Sequence, residues 1–311
     1  MIRTVTLNPA LDKKVVIEGF ALDQVNRVRS SGLDAGGKGI NVSKALAILG
    51  VPSVAYGIVA GKAGDYILDF LDRRGIAHRF TRGGGETRTN LKVVDPVGGT
   101  HTDINEPGPR VEPSTLAILE AELFAEAGPG DIFVFSGSAP AGVEAEVYAK
   151  WIRRAAAAGA RTVLDAEGEL LKRGAAARPT LMKPNLRELE GLAGASLPDE
   201  ASMIGAIRGF LDGGAGAVAL SLGSEGALFV DAGEAIRARG IAVEVAGTVG
   251  AGDSMLAAIV ACMERGAGLE AMVAPAVAAA TAAVAAGGSA DFTVEAVDAY
   301  ASMAKYEILG L

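Results

Sequence analysis

The sequence contains few cysteine, histidine and aromatic residues, and each shortage excludes a class of site. A lone cysteine, Cys262, rules out a disulfide within the chain and a cysteine-based zinc site, and it indicates a reducing, cytoplasmic setting. The two histidines, His78 and His101, are too few for a histidine metal cluster, and they make a serine–histidine catalytic triad a poor explanation of the chain. Aromatic residues make up only 5% of the chain, so we expect a core of aliphatic side chains.

The chain also lacks an excess of positive charge and a clear export or membrane segment. Its 37 acidic and 29 basic residues give a net charge of −8, which argues against nucleic acid as a general partner. Residues 1–7 read as a strand and lack the apolar core of a secretion signal, so we predict no export. Residues 271–286 are apolar, but the stretch falls short of a membrane span and contains Pro275, which favours a buried helix and no membrane association.

Half of the 311 residues are hydrophobic, and their pattern predicts an α/β fold. Short β-branched runs alternate with stretches that carry apolar residues at three- or four-residue spacing, as in βαβ units with a mostly parallel sheet. Residues 13–32 and 87–105 break this alternation and predict hairpins, which can form a small second sheet over an active site. The predicted strands are residues 4–7, 53–58, 132–136, 162–165, 181–183 and 217–222, and the predicted helices are residues 40–49, 66–73, 115–124, 146–158 and 201–211.

The clearest motif runs from Gly247 to Ser254 and leads directly into an apolar helix. Its glycines let the backbone approach a ligand, and the unpaired N–H groups of a first helical turn attract anions such as phosphate. Asp253 would repel a phosphate there unless it accepts a proton from the group that attacks the phosphate. An N-capping aspartate on an ordinary helix explains the motif equally well.

Polar residues also follow several predicted strands, where open α/β sheets bind their ligands. Asp12 follows the first strand and can accept hydrogen bonds from ligand hydroxyls, with a turn aspartate as an equal alternative. Residues 35–42 repeat the glycine-rich layout with Lys38 and Asn41, but Gly39 replaces the Ser or Thr that a P-loop needs for magnesium. This segment suits a sugar or its phosphate, and a plain helix start is the alternative.

Two further clusters follow predicted strands. Residues 136–140 offer hydroxyl and amide groups without a base beside them, and turn chemistry alone explains them. Residues 183–189 place Asn185 and Glu188 one helical turn apart, an amide and a carboxylate that suit a hydrated magnesium ion. A proline-started helix with an early acidic residue is the alternative.

Together and in this order, the motifs resemble those of the PfkB group of ribokinase-like sugar kinases over essentially the full length of the chain. The resemblance implies a three-layer α/β/α core with a mostly parallel central sheet and a small β-sheet lid. It assigns residues 1–12, 33–86 and 108–311 to the core and residues 13–32 and 87–107 to the lid. It also implies ATP, Mg²⁺ and a sugar phosphate as ligands and a homodimer formed through the lid, and it leaves a potassium (K⁺) site open.

The resemblance also assigns roles to residues at matching positions. Asp253 matches the catalytic base, and Gly250, Ala251 and Gly252 match the anion hole. The positions that match nucleotide contacts are Lys183, Asn185, Ser221, Gly223, Gly226 and Thr248, and those on the metal side are Glu188 and Asp165. The positions that match sugar-phosphate contacts are Asp12, Gly37, Lys38, Asn41, Arg88 and Ser138, with Arg27 as a further candidate that reaches a phosphate across a dimer interface.

The resemblance implies a phosphorylated ketohexose as substrate. Lys38 and Asp103 differ from the Gly and Arg typical of the family's fructose-6-phosphate kinases and are similar to its 1-phosphofructokinase and tagatose-6-phosphate kinase branch. Residues 90–93 favour the conversion of fructose 1-phosphate to fructose 1,6-bisphosphate, whereas residues 25–28 resemble the tagatose enzyme as much. The alternatives are tagatose-6-phosphate kinase, a 6-phosphofructokinase of the same family, and a non-catalytic sugar-phosphate sensor, against which Asp253 speaks.

Overall fold

The structure, a computed structural model, describes residues 1–288 and 291–309 and divides their β-strands between two sheets. The larger sheet has ten strands and the smaller sheet has four. In chain order the strands are β1 (Ile2–Thr6), β2 (Ala10–Val16), β3 (Ser30–Gly36), β4 (Ser53–Val59), β5 (Ala77–Arg82), β6 (Arg88–Asp95), β7 (Thr100–Asn105), β8 (Ile132–Ser136), β9 (Arg161–Asp165), β10 (Leu181–Met182), β11 (Ala217–Ser221), β12 (Gly226–Asp231), β13 (Ala235–Arg239) and β14 (Tyr306–Leu309).

Helices alternate with the strands of the larger sheet along the chain. Each of the five predicted helices is present, as α1, α2, α3, α4 and α7 below, with ends that differ from the predicted limits. The helices are α1 (Lys38–Ile48), α2 (Gly61–Arg73), α3 (Pro113–Phe124), α4 (Val147–Ala157), α5 (Gly168–Ala175), α6 (Leu186–Ala193), α7 (Glu200–Asp212), α8 (Ala251–Glu264), α9 (Leu269–Ala286) and α10 (Val294–Met303).

The larger sheet is parallel through its centre. Strands β5, β4, β1, β8, β9, β10 and β11 lie side by side in that order and run parallel, and β12, β13 and β14 continue the sheet antiparallel. Every residue of β8 is buried, which explains why this strand reads as a continuous apolar run. The predicted α/β fold with a mostly parallel sheet is confirmed.

The two faces of the larger sheet pack against different helices. Along β8, Ile132 and Val134 join a mostly aliphatic cluster with residues of α1, α8 and α9, whereas Phe133 and Phe135 face residues of α3 and α4. The expected aliphatic core therefore describes only one face, and the helices on both sides complete three layers. The rings in contact on the second face are Phe124, Phe133, Phe135, Tyr148 and Trp151.

Helix α9 is long and apolar enough, by length and composition alone, to cross a membrane. In the structure 56% of it is buried, and it packs against α8, α10 and β12 with Pro275 inside it. A core helix, as predicted for residues 271–286, accounts for its composition.

The smaller sheet joins the two predicted hairpins. Strand β2 pairs antiparallel with β3 and parallel with β6, and β6 pairs antiparallel with β7. The first hairpin is longer than residues 13–32, because Ala10–Val16 stay in register with Ser30–Gly36 over their whole length. A second, smaller sheet is thus confirmed, and the limits of the lid at residues 13–32 and 87–107 stay a prediction.

Candidate active site

Helix α8 begins without a capping side chain. Its N-cap is Gly250, with a left-handed φ of 80°, and Ala251, Gly252 and Asp253 form its first turn. The N-capping alternative for Asp253 is therefore wrong, because Gly250 occupies the capping position. Within the described residues, the amide groups of Gly252 and Asp253 have no hydrogen-bond partner. This turn offers N–H groups and partial positive charge to an anion.

The carboxylate of Asp253 is buried and held by one amide. Asn41 on α1 donates from Nδ2 to Asp253 Oδ2 over 2.8 Å. Burial raises the pKa of Asp253, and the charge of Asp165 adds to this, against the opposing effects of Asn41 and two lysines. A buried carboxylate with a raised pKa is suited to accept a proton.

Two lysines converge on Asp165, which ends β9. Lys38 Nζ lies 2.9 Å from Asp165 Oδ1, and Lys183 Nζ lies 3.1 Å from Oδ2. Burial alone would raise the pKa of Asp165, but the charges of both lysines outweigh it and lower the pKa. Burial alone would lower the pKa of Lys38, but the charges of Asp165 and Glu188 outweigh it and raise the pKa. Asp165 and Lys38 are therefore charged at neutral pH.

Lys183 links Asp165 to the first turn of α8. A Cβ atom added at Gly252 would lie 3.3 Å from Lys183 Nζ, so the ammonium group lies directly against this turn. Lys183 follows β10 and is buried. An ammonium group beside unpaired amides strengthens the attraction of this turn for an anion.

Asn185 and Glu188 form a capping box at the start of α6. Asn185 Oδ1 accepts a hydrogen bond from Glu188 N, and Glu188 Oε2 accepts one from Asn185 N, each over 2.9 Å. Burial raises the pKa of Glu188, and its Oε1 lies 3.9 Å from Lys38 Nζ. Lys38, predicted on the sugar side, therefore lies between Asp165 and Glu188, the two predicted metal ligands.

These donors fit a metal ion only if other ligands accompany it. No group of three or more His, Cys, Asp and Glu side chains suited to a metal occurs in the part of the chain that the structure describes. Asp165 Oδ2 is nevertheless buried without a well-directed hydrogen bond, and Glu188 supplies a second carboxylate. One or two carboxylates suit an Mg²⁺ ion that keeps its waters and binds nucleotide phosphates. The residues therefore fit a magnesium ion that enters with a nucleotide.

The predicted nucleotide positions lie beyond the ends of β10 and β11. Asn185 and Ser221 form a short parallel bridge. Gly223 begins a 3₁₀ turn and Gly226 begins β12, with φ angles of 61° and 101°. Thr248 is exposed in the turn that precedes α8. Of these positions, the structure brings Asn185 and Ser221 into direct contact.

Asp12 lies within the smaller sheet, on β2, so the reading as a turn aspartate is wrong. Asn90 Nδ2 donates to Asp12 Oδ1 over 2.9 Å, and Lys92 Nζ lies 3.1 Å from Oδ2. A Cβ atom at Gly36 would lie 2.6 Å from Asp12 Cγ, so glycine is required where the carboxylate packs against β3. Asp12 is therefore held in place by its own sheet.

Asn8 contacts both Arg88 and Ser138. Arg88 donates from Nη2 to Asn8 O over 3.0 Å and from Nη1 to Glu106 O over 3.2 Å. Asn8 Nδ2 lies 3.4 Å from Ser138 Oγ. Gly37, the N-cap of α1, precedes Lys38 and Asn41 and likewise lacks a capping side chain. Of the predicted sugar-phosphate positions, these contacts bring together Arg88 and Ser138, beyond the ends of β1 and β8.

A cavity of about 600 Å³ adjoins Arg88 and is lined by Glu86, residues 106–110 and Glu112 among others. It includes neither Asp253 nor Asp165, so it extends the sugar side of the site and not its buried centre. Arg27 is exposed in the loop between β2 and β3 and contacts none of the other predicted site residues within the described chain.

Three polar residues at the site were not among the predicted contact residues: Asn8, Asn90 and Lys92, although residues 90–93 were used to choose the substrate. Arg88, Asn90 and Lys92 recur at every second position of β6, the spacing that places side chains on one face of a strand. This alternation in the sequence could have predicted that one face of β6 is polar. Asn8 gave no such signal, because its contact with Ser138 joins residues 130 positions apart.

The chain is similar to known proteins over nearly its full length. Residues 6–296 match the model of the pfkB family carbohydrate kinases. A 1-phosphofructokinase from Rhodobacter capsulatus is 40% identical over 260 residues, which cover 83% of this chain and 82% of that protein.

Solved structures extend the similarity to the fold. Phosphofructokinase-2 from Escherichia coli in complex with potassium is 31% identical and superimposes with a TM-score of 0.92, covering 97% of this chain and 98% of that chain. The tetrameric inhibited form of phosphofructokinase-2 from the same organism gives a TM-score of 0.90 at 31% identity, with the same coverage.

Proposed function

Because the chain belongs to the pfkB family of carbohydrate kinases, we propose that it transfers a phosphoryl group from ATP to fructose 1-phosphate, giving fructose 1,6-bisphosphate and ADP. The family, the ribokinase-like fold and the class of enzyme, an ATP-dependent sugar kinase, are those predicted from the sequence, and they are confirmed.

The observation that carries the proposal is the buried Asp253 in the uncapped first turn of α8. The free hydroxyl oxygen of the sugar forms a bond to the γ-phosphorus of ATP while the bond from that phosphorus to the bridging oxygen breaks. Asp253 orients the hydroxyl and takes its proton late, since an alkoxide is improbable at neutral pH. Asn41 keeps the carboxylate turned toward the hydroxyl.

The first turn of α8 stabilises the phosphoryl group during transfer. The amides of Gly252 and Asp253 and the ammonium of Lys183 point their positive charge at the same place. Magnesium supplies further neutralisation of the nucleotide's phosphates when it is bound, held by Asp165 and Glu188 directly or through water. Lys38 keeps Asp165 ionised for that task.

The choice of fructose 1-phosphate is supported by the name of the Rhodobacter capsulatus relative and by Lys38 and Asp103, which set the chain apart from the fructose-6-phosphate kinases of the family. ATP and sugar phosphates are highly charged and do not cross membranes unaided. We therefore also assign the reaction to the cytoplasm, where the buried thiol of Cys262 stays reduced.

The homodimer is a further part of the proposal, with the smaller sheet as its interface. Large apolar side chains are exposed on this sheet and its first loop, among them Leu22 at 86% and Val25 at 83%. Val28 in the same loop is also exposed, and so are Leu33 on β3 and Ile104 on β7, which lie in one row across the sheet. An exposed apolar patch is typical of a protein–protein interface. The patch also gives a reason for the exposed Arg27 beside it, which in a dimer reaches the partner's sugar phosphate.

An ADP-release panel tests the function. Purified protein with ATP, Mg²⁺ and KCl is given fructose 1-phosphate, tagatose 6-phosphate, fructose 6-phosphate or ribose, and Asp253→Asn serves as the matched control. We expect kcat/KM for fructose 1-phosphate to exceed each of the others at least about tenfold, the size of one lost charge-assisted contact. A higher value for another sugar reassigns the substrate, and no ADP release with any of them favours the sugar-phosphate sensor.

The dimer is tested separately by sedimentation of Leu22→Ser/Val25→Ser. We expect this variant to sediment as a monomer at concentrations where the parent protein is a dimer. Ile118→Ser on α3, a position that is also exposed, is the control and should leave the dimer intact. A monomeric parent protein, or an unchanged double variant, contradicts this interface.

A further inference from the structure

Strand β6 presents a row of polar side chains on one face. Arg88, Asn90 and Lys92 are two residues apart, so they project from the same side of the strand. Asn90 is the register partner of Asp12 across the parallel pair with β2, and partners of this kind share a face. The row therefore lies on the face of the smaller sheet that carries Asp12.

Lys92 is the member of this row whose charge lies nearest to Asp12. Its Nζ lies 3.1 Å from Asp12 Oδ2, and its side chain is 21% exposed. Arg88 donates from Nη1 and Nη2 to the carbonyl oxygens of Glu106 and Asn8, and its Nε is buried without a hydrogen-bond partner. Asn90 donates to Asp12, but its Oδ1 is buried without a hydrogen-bond partner. Polar atoms left unpaired beside Asp12 indicate that a ligand completes this face.

A sugar phosphate brings about two negative charges into a region where Asp12 already supplies one. The lysines of the buried centre, Lys38 and Lys183, are paired with Asp165 near the helix turn that receives the transferred group. The phosphate that the sugar carries on arrival must lie away from that turn, because the turn receives the transferred phosphoryl group and the reacting hydroxyl lies beside it. The smaller sheet must then supply a cation for this phosphate.

On the basis of the function proposed above, we propose that Lys92 binds the phosphate group that the sugar substrate already carries and thereby selects phosphorylated over free sugars. Its ammonium has three N–H donors, of which the contact with Asp12 uses one. The remaining donors are available to phosphate oxygens. Asp12 positions Lys92 and also accepts hydrogen bonds from sugar hydroxyls.

The test measures binding of fructose 1-phosphate by titration calorimetry without ATP, alongside turnover. Lys92→Met should weaken binding and raise KM about 10- to 100-fold, the range for a lost charge-assisted hydrogen bond, with little change in kcat. Lys92→Arg should recover part of the loss. Lys14→Met is the matched control, because Lys14 is the register partner of Lys92 on β2 but lies two residues beyond Asp12. An equal loss in Lys14→Met means general attraction by the sheet and overturns the assignment.

A double-mutant cycle separates phosphate binding from an effect through Asp12. In an Asp12→Asn background, Lys92→Met should still weaken fructose 1-phosphate binding at least about fivefold if Lys92 contacts the phosphate. No further loss in that background means that Lys92 acts only by positioning Asp12, and it overturns the proposal. If the parent protein phosphorylates fructose 1-phosphate and Lys92→Met binds and phosphorylates it equally well, the proposed role of Lys92 is wrong but the proposed function stands. If the parent neither binds nor phosphorylates a ketohexose phosphate, the proposed function fails first.

Discussion

Two charge clusters of similar composition lie on opposite sides of the site. The core cluster, built from α1, β9, β10 and α8, contains Asp253, Asn41, Asp165, Lys38 and Lys183. The lid cluster, on the smaller sheet, contains Asp12, Asn90 and Lys92. In the core cluster, Asp253 accepts a hydrogen bond from asparagine and Asp165 pairs with lysines. In the lid cluster, Asp12 does both.

The two clusters differ in burial, and this difference sets what each can do. The carboxylates of Asp253 and Asp165 and the ammonium of Lys183 are almost inaccessible to solvent, whereas Asp12 is 15% exposed. The lysines that reach the surface, Lys38 in the core cluster and Lys92 in the lid cluster, are 32% and 21% exposed. In a buried setting, charges interact strongly and shift each other's pKa, as they do for Asp253 and Asp165. Where water reaches the pair, the same groups interact weakly and remain free to exchange partners. The core cluster is therefore suited to chemistry and the lid cluster to substrate selection.

The largest effect is expected from Asp253→Asn in the core cluster. Loss of the proton acceptor should lower kcat about 10³- to 10⁴-fold while nucleotide binding is kept, and steady-state kinetics with calorimetry measure both. The folded pKa of Asp253 is raised, so its ionised form disfavours folding as pH rises through that value. We therefore expect the melting temperature of the variant at neutral pH to equal or exceed that of the parent. Near-normal turnover would falsify the role of Asp253.

Asp165→Ala should have the largest effect on stability. It leaves Lys38 and Lys183 without their shared carboxylate, and removal of one partner from a buried pair costs about 3–5 kcal/mol of unfolding free energy. Urea denaturation measures this loss. Asp65→Ala is the control, because its pair with Arg82 is exposed and should contribute about 0–1 kcal/mol.

The pH dependence of this loss gives a second check on Asp165. Its folded pKa is lowered, so its stabilisation is fully present above the ordinary pKa of aspartate and is lost as pH falls through the folded pKa. The gap in stability between parent and Asp165→Ala should therefore shrink on acidification. A gap that widens toward low pH is incompatible with the pairing described here.

Local sequence patterns predicted the elements of the core cluster but not its contacts. The glycine-rich start of α8 and the segment 183–189 were recognisable because each motif is contiguous. The convergence of Lys38 on Asp165 was not, because these residues are 127 positions apart and meet only through the order of parallel strands. Whether Asp253 caps its helix also depends on the backbone angle of Gly250, which the sequence does not reveal.

The edges of the larger sheet were predicted less well than its centre. Strands β12, β13 and β14 form an antiparallel edge, and β5 forms the other edge of the larger sheet. No strand was predicted at any of these positions. β5 has mostly exposed or half-buried residues, so it lacks the continuous apolar run that marked β8. Edge strands are held by pairing with a neighbour more than by a pattern of their own.

The smallest effect is expected from Asp12→Asn, the same substitution as Asp253→Asn but made in the lid cluster. The amide keeps an oxygen for Asn90 but loses the charge that positions Lys92 and accepts bonds from sugar hydroxyls. We expect KM for the sugar phosphate to rise about tenfold, kcat to change little, and unfolding free energy to fall by less than about 1 kcal/mol, since the pair is partly exposed. Initial-rate kinetics and urea denaturation measure these values. A loss of kcat as large as that of Asp253→Asn would mean that the lid cluster takes part in the chemical step, and the division of labour between the two clusters would then be wrong.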